Sequence, residues 1–340
     1  MSRSEKSPII ETGYVAEVNS LLRPSPSDGM KVLDLFAGAG GLSLGFEAAG
    51  FSVTGYEMDS DCCMTYNANL RGRCIHEKVD INTEYGEFDV VIGGPPCQPF
   101  SVAGKQQGLA DIRNGFPAFV AAVEKIRPKI FVAENVRGVF YKNREYVNVV
   151  CSELEELGYV VETSLLNAVD YGVPQNRERV LIIGHDGSYK FPPKKNVKVT
   201  AGDALGALAL EAPADASFLT PSMDRYIAKY EAKSKCVNPR DLSLDRPSRT
   251  LTCRNLAGAT SDMMRIRLPD GRRRRLTIAE ASRLQSFPDW WEWHGSKDSA
   301  LKQIGNSVAP LFAFAVADSI RRTLLNESYP LQPNEQLRLI

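Results

Sequence analysis

Between residues 31 and 184 short apolar runs alternate with stretches of helical pattern, and that alternation constrains the fold more than any other feature of the chain. Apolar runs occupy 31–36, 51–56, 88–92 and 129–133, helical patterns occupy 42–49 and 119–126, and runs at 160–166 and 179–184 close the series. Strands separated by helices cannot be joined as tight hairpins, because each crossover must return over one face of the sheet. The predicted fold class is therefore α/β, a doubly wound, mainly parallel Rossmann-like sheet. At 340 residues the chain exceeds the size at which one hydrophobic core usually stops growing, so a second, smaller unit is expected. We place the large α/β domain at 1–185, with a helix-bearing extension over its first thirty residues. A small irregular domain follows at 186–300, opening on a Pro- and Lys-rich linker at 186–200. Residues 301–340 carry a last helix, at 311–325, that returns to the large domain. A shorter helix is predicted at 278–284, with Thr277 as its N-cap.

Other features narrow the class. The longest apolar stretch, 308–317, is too short to cross a bilayer, and the polar, Pro-containing start lacks the apolar core of a secretory signal. The seven cysteines show neither disulfide-framework nor zinc-ligand spacing, which points to a reducing cytoplasm and to no metal site. Forty-one basic residues balance forty-one acidic ones, which argues against a general nucleic-acid binder. The sum hides a local bias, because Arg265, Arg267, Arg272, Arg273, Arg274 and Arg275 fall within eleven residues. Such a run either forms a phosphate-seeking face or a solvated charged hairpin.

Two constellations carry chemistry. The first is the turn Asp34-Leu35-Phe36-Ala37-Gly38-Ala39-Gly40-Gly41 between a strand and a helix, where glycine permits a sharp turn and close approach of a ligand. Glu57, at the end of the next strand, can accept hydrogen bonds from both hydroxyls of a ribose. Ser43 stands where a dinucleotide fingerprint has its third glycine, which favours an adenosyl ligand without a pyrophosphate; a glycine-rich turn of some other Rossmann-like domain remains the alternative. Asp80-Ile81, in a later loop, pairs a carboxylate for an adenine amino group with an apolar cover for its ring.

The second constellation is Gly93-Gly94-Pro95-Pro96-Cys97-Gln98-Pro99-Phe100-Ser101, directly after a strand. Its prolines stiffen the backbone ahead of Cys97 at the sheet edge where ligands bind in such folds. Glu134-Asn135-Val136 ends the following strand, and Gln175-Asn176-Arg177-Glu178-Arg179 enters a further one with arginines at alternate positions. The polar, glycine-hinged segment 101–116, with Gly104, Lys105, Gly108, Arg113 and Gly115, has the composition of a closing loop.

In this order, with Gly305-Asn306-Ser307-Val308 to follow, these motifs resemble the cytosine-C5 DNA methyltransferase family, in its prokaryotic, restriction-modification form. The resemblance spans roughly 31–185 and 276–325. It implies a sheet that binds S-adenosylmethionine, with Phe36, Gly38, Gly40, Glu57, Asp80, Ile81, Pro96 and Asn306 at the cofactor. It implies Cys97 as nucleophile, Glu134 and Arg179 as holders of the target base, and Arg177 in support. It makes 186–300 a target-recognition domain, double-stranded DNA the partner, a monomer the expected state, and a cognate restriction endonuclease the functional counterpart. Two rivals are kept: a tRNA cytosine methyltransferase, against which no Cys-Phe-Thr element is found, and a non-catalytic DNA-binding protein on the same scaffold. Trp290, Trp291 and Trp293 are expected to pack under the small domain rather than to stack on bases.

Overall fold

The structure, a computed structural model, describes residues 13–96, 115–214, 216–234, 240–258 and 262–329. Seven strands form one sheet: β1 (Lys31–Leu35), β2 (Ser52–Glu57), β3 (Arg73–His76), β4 (Val90–Gly93), β5 (Ile130–Val136), β6 (Val160–Asn167) and β8 (Glu178–His185), the two-residue β7 (Gln175–Asn176) lying outside it. Their order is β3-β2-β1-β4-β5-β8-β6. The first five run parallel, and β8 enters antiparallel between β5 and β6. The doubly wound, mainly parallel sheet expected from the strand-helix alternation is present.

Period-two alternation divides the sheet's side chains between two cores. Val32, Val53, Val90, Ile92, Ile130, Val132, Leu181 and Ile183 belong to one cluster, shared with Phe46 of α2 (Gly41–Ala48), Tyr66 of α3 (Ser60–Asn69) and Phe312 of α12 (Pro310–Leu325). Leu33, Leu35, Val91, Phe131, Ala133, Val180 and Ile182 face the other cluster, shared with Phe119 of α4 (Phe116–Ile126) and Val150 of α6 (Arg144–Glu156), which follows the short α5 (Gly138–Lys142). The last long helix packs on α2: α12 lies so close to it that a Cβ on Gly45 would stand 2.4 Å from the backbone nitrogen of Phe314. The N-terminal helix α1 (Gly13–Leu21) adds Val18 to the same core.

The small region has its own apolar cluster, drawn from α7 (Ala201–Leu205), α9 (Cys253–Ala257), α10 (Ile278–Leu284) and α11 (Lys297–Asn306). Its strands are short. β9 (Ser248–Arg249) pairs with β7, and β10 (Arg265–Arg267) forms a hairpin with β11 (Arg273–Arg275). A 14-residue helix, α8 (Pro221–Ser234), was missed although Met223, Ile227 and Tyr230 recur at helical spacing, because that stripe is short and among its described side chains only Ile227 is buried. The stretch read as a linker is docked rather than free, since Tyr189 is buried in the main core, Phe191 packs against it and Lys194 pairs with Asp170. Thr277 caps α10 as predicted, closing a capping box with Glu280.

The arginine run is not one phosphate-seeking face. Arg265 and Arg274 are buried: the first meets Glu231 and Asp241, the second forms a two-pronged pair with Glu280 at 2.7 and 2.8 Å. Arg273 meets Asp224 and Asp241. A guanidinium taken from water needs a carboxylate, and Arg265 and Arg274, which the hairpin register places on opposite faces, each find one. The tryptophans pack, as expected, although mostly against the main core: the rings of Phe287, Trp291 and Trp293 lie 4.8–6.2 Å apart, and Arg23 covers Trp290. Among the described residues no helix is long and apolar enough to cross a membrane, and no cluster of His, Cys, Asp and Glu is arranged to hold a metal ion.

Candidate active site at the carboxyl edge of the sheet

The parallel strands β1, β4 and β5 all end at one edge, delivering Phe36, Gly94 to Pro96, and Glu134 to Val136. Because β8 runs the opposite way, its beginning reaches that same edge and adds Glu178 and Arg179. Arg179 is registered opposite Val136, two residues along β5 from Glu134, so the two side chains are diagonal neighbours on one sheet face. Arg179 Nε stands 2.7 Å from Glu134 Oε1, and both residues are buried. Burial draws the Arg179 guanidinium below its ordinary value, while Glu134 opposes that shift.

Asn135, for which the sequence offered no role, donates from Nδ2 to the carbonyl of Pro95 at 2.9 Å and so fastens the turn after β4 to the end of β5. Gly94 lies against the Glu134 carboxylate, 3.6 Å from Oε2 to where its Cβ would be. Pro96 accepts from Gly115 N at 2.9 Å, and a Cβ on Gly115 would strike the Pro96 ring at 2.4 Å and Phe36 at 3.0 Å. Phe36, Pro96 and Gly115 are thus brought together. Cys97 follows Pro96 directly and lies outside the described residues, as does the closing-loop segment 101–114.

Arg177 does not share the surroundings of Arg179. It is only 2% exposed, and its guanidinium donates to three carbonyls: Leu251 at 2.7 Å, Ser307 at 2.8 Å and Gly305 at 3.2 Å. Burial, then the neighbouring Arg179, holds its pKa well below the ordinary value. Gln175 joins the same knot, accepting from Leu251 N and donating to Gln285 Oε1, while Gln285 donates to Ser307 O. The alternate spacing of Gln175, Arg177 and Arg179 was visible in the sequence; that the first two clasp three distant segments was not.

Beside Arg179 opens a cavity of about 590 Å³, lined by Val136, Arg137, Asn167, Glu178, Thr250 and Thr252 among others. Its walls come from the sheet edge and from the small region together. Thr250 is held there by its own hydroxyl, which donates to Asn176 O at 2.6 Å.

The glycine-rich turn forms the other half of the site. Phe36, Gly38 and Gly40 all have positive φ, at 60°, 55° and 87°. Gly40 has no alternative, since a Cβ there would stand 2.8 Å from Leu70 and 2.9 Å from Tyr66. Above Gly38 a Cβ would meet nothing within 4 Å, so the turn is open where a ligand would lie. Glu57 is aimed by backbone N–H groups, Gly38 N on Oε2 and Met58 N and Asp59 N on Oε1, each at 2.9 Å. Asp80 and Ile81 lie on the loop leaving the carboxyl end of β3; Ile81 is 56% exposed, an apolar surface available to an aromatic ring. Asn306, exposed, ends α11, and the chain beyond it brings Val308 O to within 2.4 Å of where a Gly41 Cβ would be. Beneath the turn Asp34 is fully buried and accepts from Ser43 Oγ at 2.6 Å; burial raises its carboxyl to about 7.

Fold and candidate site together define a class: a Rossmann-like methyltransferase. The chain belongs to the C-5 cytosine-specific DNA methylase family, whose profile matches residues 30–322, and it is a DNA cytosine-C5 methyltransferase. It is 54% identical over 307 residues to the type II methyltransferase M.AplI of Arthrospira platensis, covering 89% of this chain and 88% of that one. It is 36% identical to the type II methyltransferase M.PspPI of a Psychrobacter species, covering 88% and 80%. Among solved structures, a prophage-encoded Escherichia coli protein assigned as a DNA modification methyltransferase superposes with a TM-score of 0.64 at 26% identity, covering 88% of this chain and all of the other. DNMT2 of Spodoptera frugiperda shares the fold, with a TM-score of 0.66 at 17% identity.

Proposed function

We propose that the chain transfers a methyl group from S-adenosylmethionine to C5 of a cytosine extruded from a specific duplex DNA sequence, through a covalent bond between Cys97 and C6. The observation that carries this reading is the buried Glu134–Arg179 pair, held beside the stiff Gly94–Pro96 segment that leads into Cys97, with Arg179 at the wall of a cavity of about 590 Å³.

The cofactor's chemistry suits the turn. Glu57, with its carboxylate already oriented by three N–H groups, would take the ribose hydroxyls, and Gly38 and Gly40 would let the ligand lie on the backbone. Asp80, Ile81, Phe36, Pro96 and Asn306 would complete its surroundings. When bound, S-adenosylmethionine supplies an electrophilic methyl group.

The protein's own residues make the acceptor. C5 of cytosine is a poor nucleophile until the Cys97 thiolate adds at C6, forming a C–S bond and pushing the ring electrons onto C5. Glu134, facing N3 and the exocyclic amine, would supply the proton or hydrogen bond that the charged ring requires. Arg179, already paired with Glu134, would hold the O2 edge and keep the carboxyl aimed. After methylation the C5 proton is lost and the C–S bond breaks, returning the thiolate. Cytosine inside a duplex cannot offer C6 to a sulfur, so the base must leave the stack, at a cost of a few kcal/mol. The cavity beside Arg179 is the receptacle that this reading assigns to it.

The division into a catalytic domain at 1–185, a target-recognition domain at 186–300 and a returning C-terminal segment belongs to the same proposal, as do action as a monomer and protection of host DNA from a partner endonuclease, in keeping with the names of the type II relatives. The test is a labelled-methyl assay on duplex DNA, with tRNA beside it, for the wild type and Cys97→Ala. Transfer to DNA by the wild type alone, with cofactor binding kept in the variant, supports the reading. Transfer by the variant, or to tRNA only, overturns it.

A further inference from the structure

In the small region one group of arginines, scattered in sequence, shares a single carboxylate. Arg265 and Arg273 share Glu231, Asp241 and Asp224, Arg274 has Glu280, and Arg272 has Asp270. By contrast Arg240, Arg249 and Arg254, spread over fifteen residues of sequence, converge on Asp262. Arg249 Nη1 is 3.2 Å and Arg240 Nε 3.5 Å from its Oδ1, and Arg254 Nε is 3.5 Å from its Oδ2. Three positive charges thus meet one negative charge among the described residues. Buried Nε atoms of Arg240 and Arg249 have no hydrogen-bond acceptor there, while the Arg254 side chain is 74% exposed. Like charges held together at this density attract an anion, and the exposed Arg254 guanidinium is placed to meet one.

The position selects the anion. Arg249 directly precedes Thr250, and Thr252 caps the helix that carries Arg254; both threonines line the cavity beside Arg179. A strand delivering a nucleotide into that cavity must pass its mouth, and its phosphates recur at about 3.4 Å of rise along the duplex.

We propose that Arg240, Arg249 and Arg254 form a clasp for the DNA backbone, taking phosphates next to the extruded nucleotide and reading no base. The proposal rests on the reading of the cavity as the receptacle for the base. The arginines of the β10–β11 hairpin that have carboxylates of their own hold the fold, and the Asp262 group meets DNA.

The test is the salt dependence of duplex binding, followed by fluorescence anisotropy from 50 to 200 mM salt, on duplexes with and without a methylatable site. Every phosphate that goes unneutralised flattens the slope of log affinity against log salt by about 0.9, a difference of roughly threefold over that range. Arg254→Gln and the double variant Arg240→Gln/Arg254→Gln should flatten it progressively on both duplexes, Arg254→Lys should keep it, and Asp262→Asn should steepen it. Melting temperature and S-adenosylhomocysteine binding serve as controls for folding. Unchanged slopes in well-folded Gln variants overturn the clasp, and so does an effect confined to the methylatable duplex, which would mean base reading. A wild type that methylates beside variants of unchanged slope sinks the clasp alone. A wild type that binds DNA with the expected slopes but transfers no methyl group sinks the functional reading instead.

Discussion

Arg177→Met tests whether the buried knot at Gln175, Arg177 and Gln285 positions the active site or merely fills space. Methionine replaces much of the apolar stem but leaves the carbonyls of Leu251, Gly305 and Ser307 without their guanidinium donor. A buried acceptor left unmet costs about 1–3 kcal/mol, so the gross loss is several kcal/mol. Against it stands relief from burying a charge beside Arg179, an offset of similar kind. The expected net destabilisation is about 2–4 kcal/mol, read from urea unfolding. The three carbonyls belong to the segment preceding Thr252 at the cavity and to the segment bearing Asn306. Well below its melting point the variant should therefore show a raised KM for DNA and weaker cofactor binding together, with Arg177→Lys recovering part of each. A variant that melts early yet keeps both constants would reduce Arg177 to a structural prop. One with wild-type melting would refute the energetic argument as well.

Other outcomes follow from single contacts. Arg274→Ala strands Glu280 as a buried, unpaired charge and should cost about 3–5 kcal/mol in unfolding experiments, whereas Arg274→Met with Glu280→Leu should recover most of it. Gly45→Ala forces α2 and α12 apart, because the new Cβ meets backbone atoms at 2.4–2.5 Å; a loss of at least 1–3 kcal/mol, about that of overpacking, should appear as a lower urea midpoint. Asp34 has a folded pKa raised to about 7 from an ordinary 3.8, so between those values the native state holds more protons than the unfolded one. Stability should then fall as pH rises through this window, by up to about 1.4 kcal/mol per pH unit, and level off above 7. Asp34→Asn should flatten that slope; a profile identical to the wild type would show that Asp34 does not titrate there.

Strand-helix alternation announced the mainly parallel sheet because a helix between two strands carries the chain back over one face before the next strand begins. The glycine turn, Glu57 and the segment leading to Cys97 were legible because each sits where a strand ends, and strand ends in such a sheet share one edge. Helix α8 was not, since its stripe of Met223, Ile227 and Tyr230 is short and set among charged residues. Nor was the arginine division: six neighbours in sequence read as one basic face or one solvated hairpin, yet Arg265 and Arg274 lie on opposite faces of the hairpin and are each buried against a carboxylate.

What the amino-acid order alone determined is local: which segments extend, where the backbone turns, and which side chains stand at the turns. Only the tertiary structure decided the pairings between segments distant in sequence. The reversed direction of β8 brings Arg179 to Glu134, Arg177 ties residues 251 and 307 to one strand end, and Asp262 gathers three arginines. Hydrogen bonds and ion pairs depend on distance in space, and chain folding sets that distance independently of spacing along the sequence.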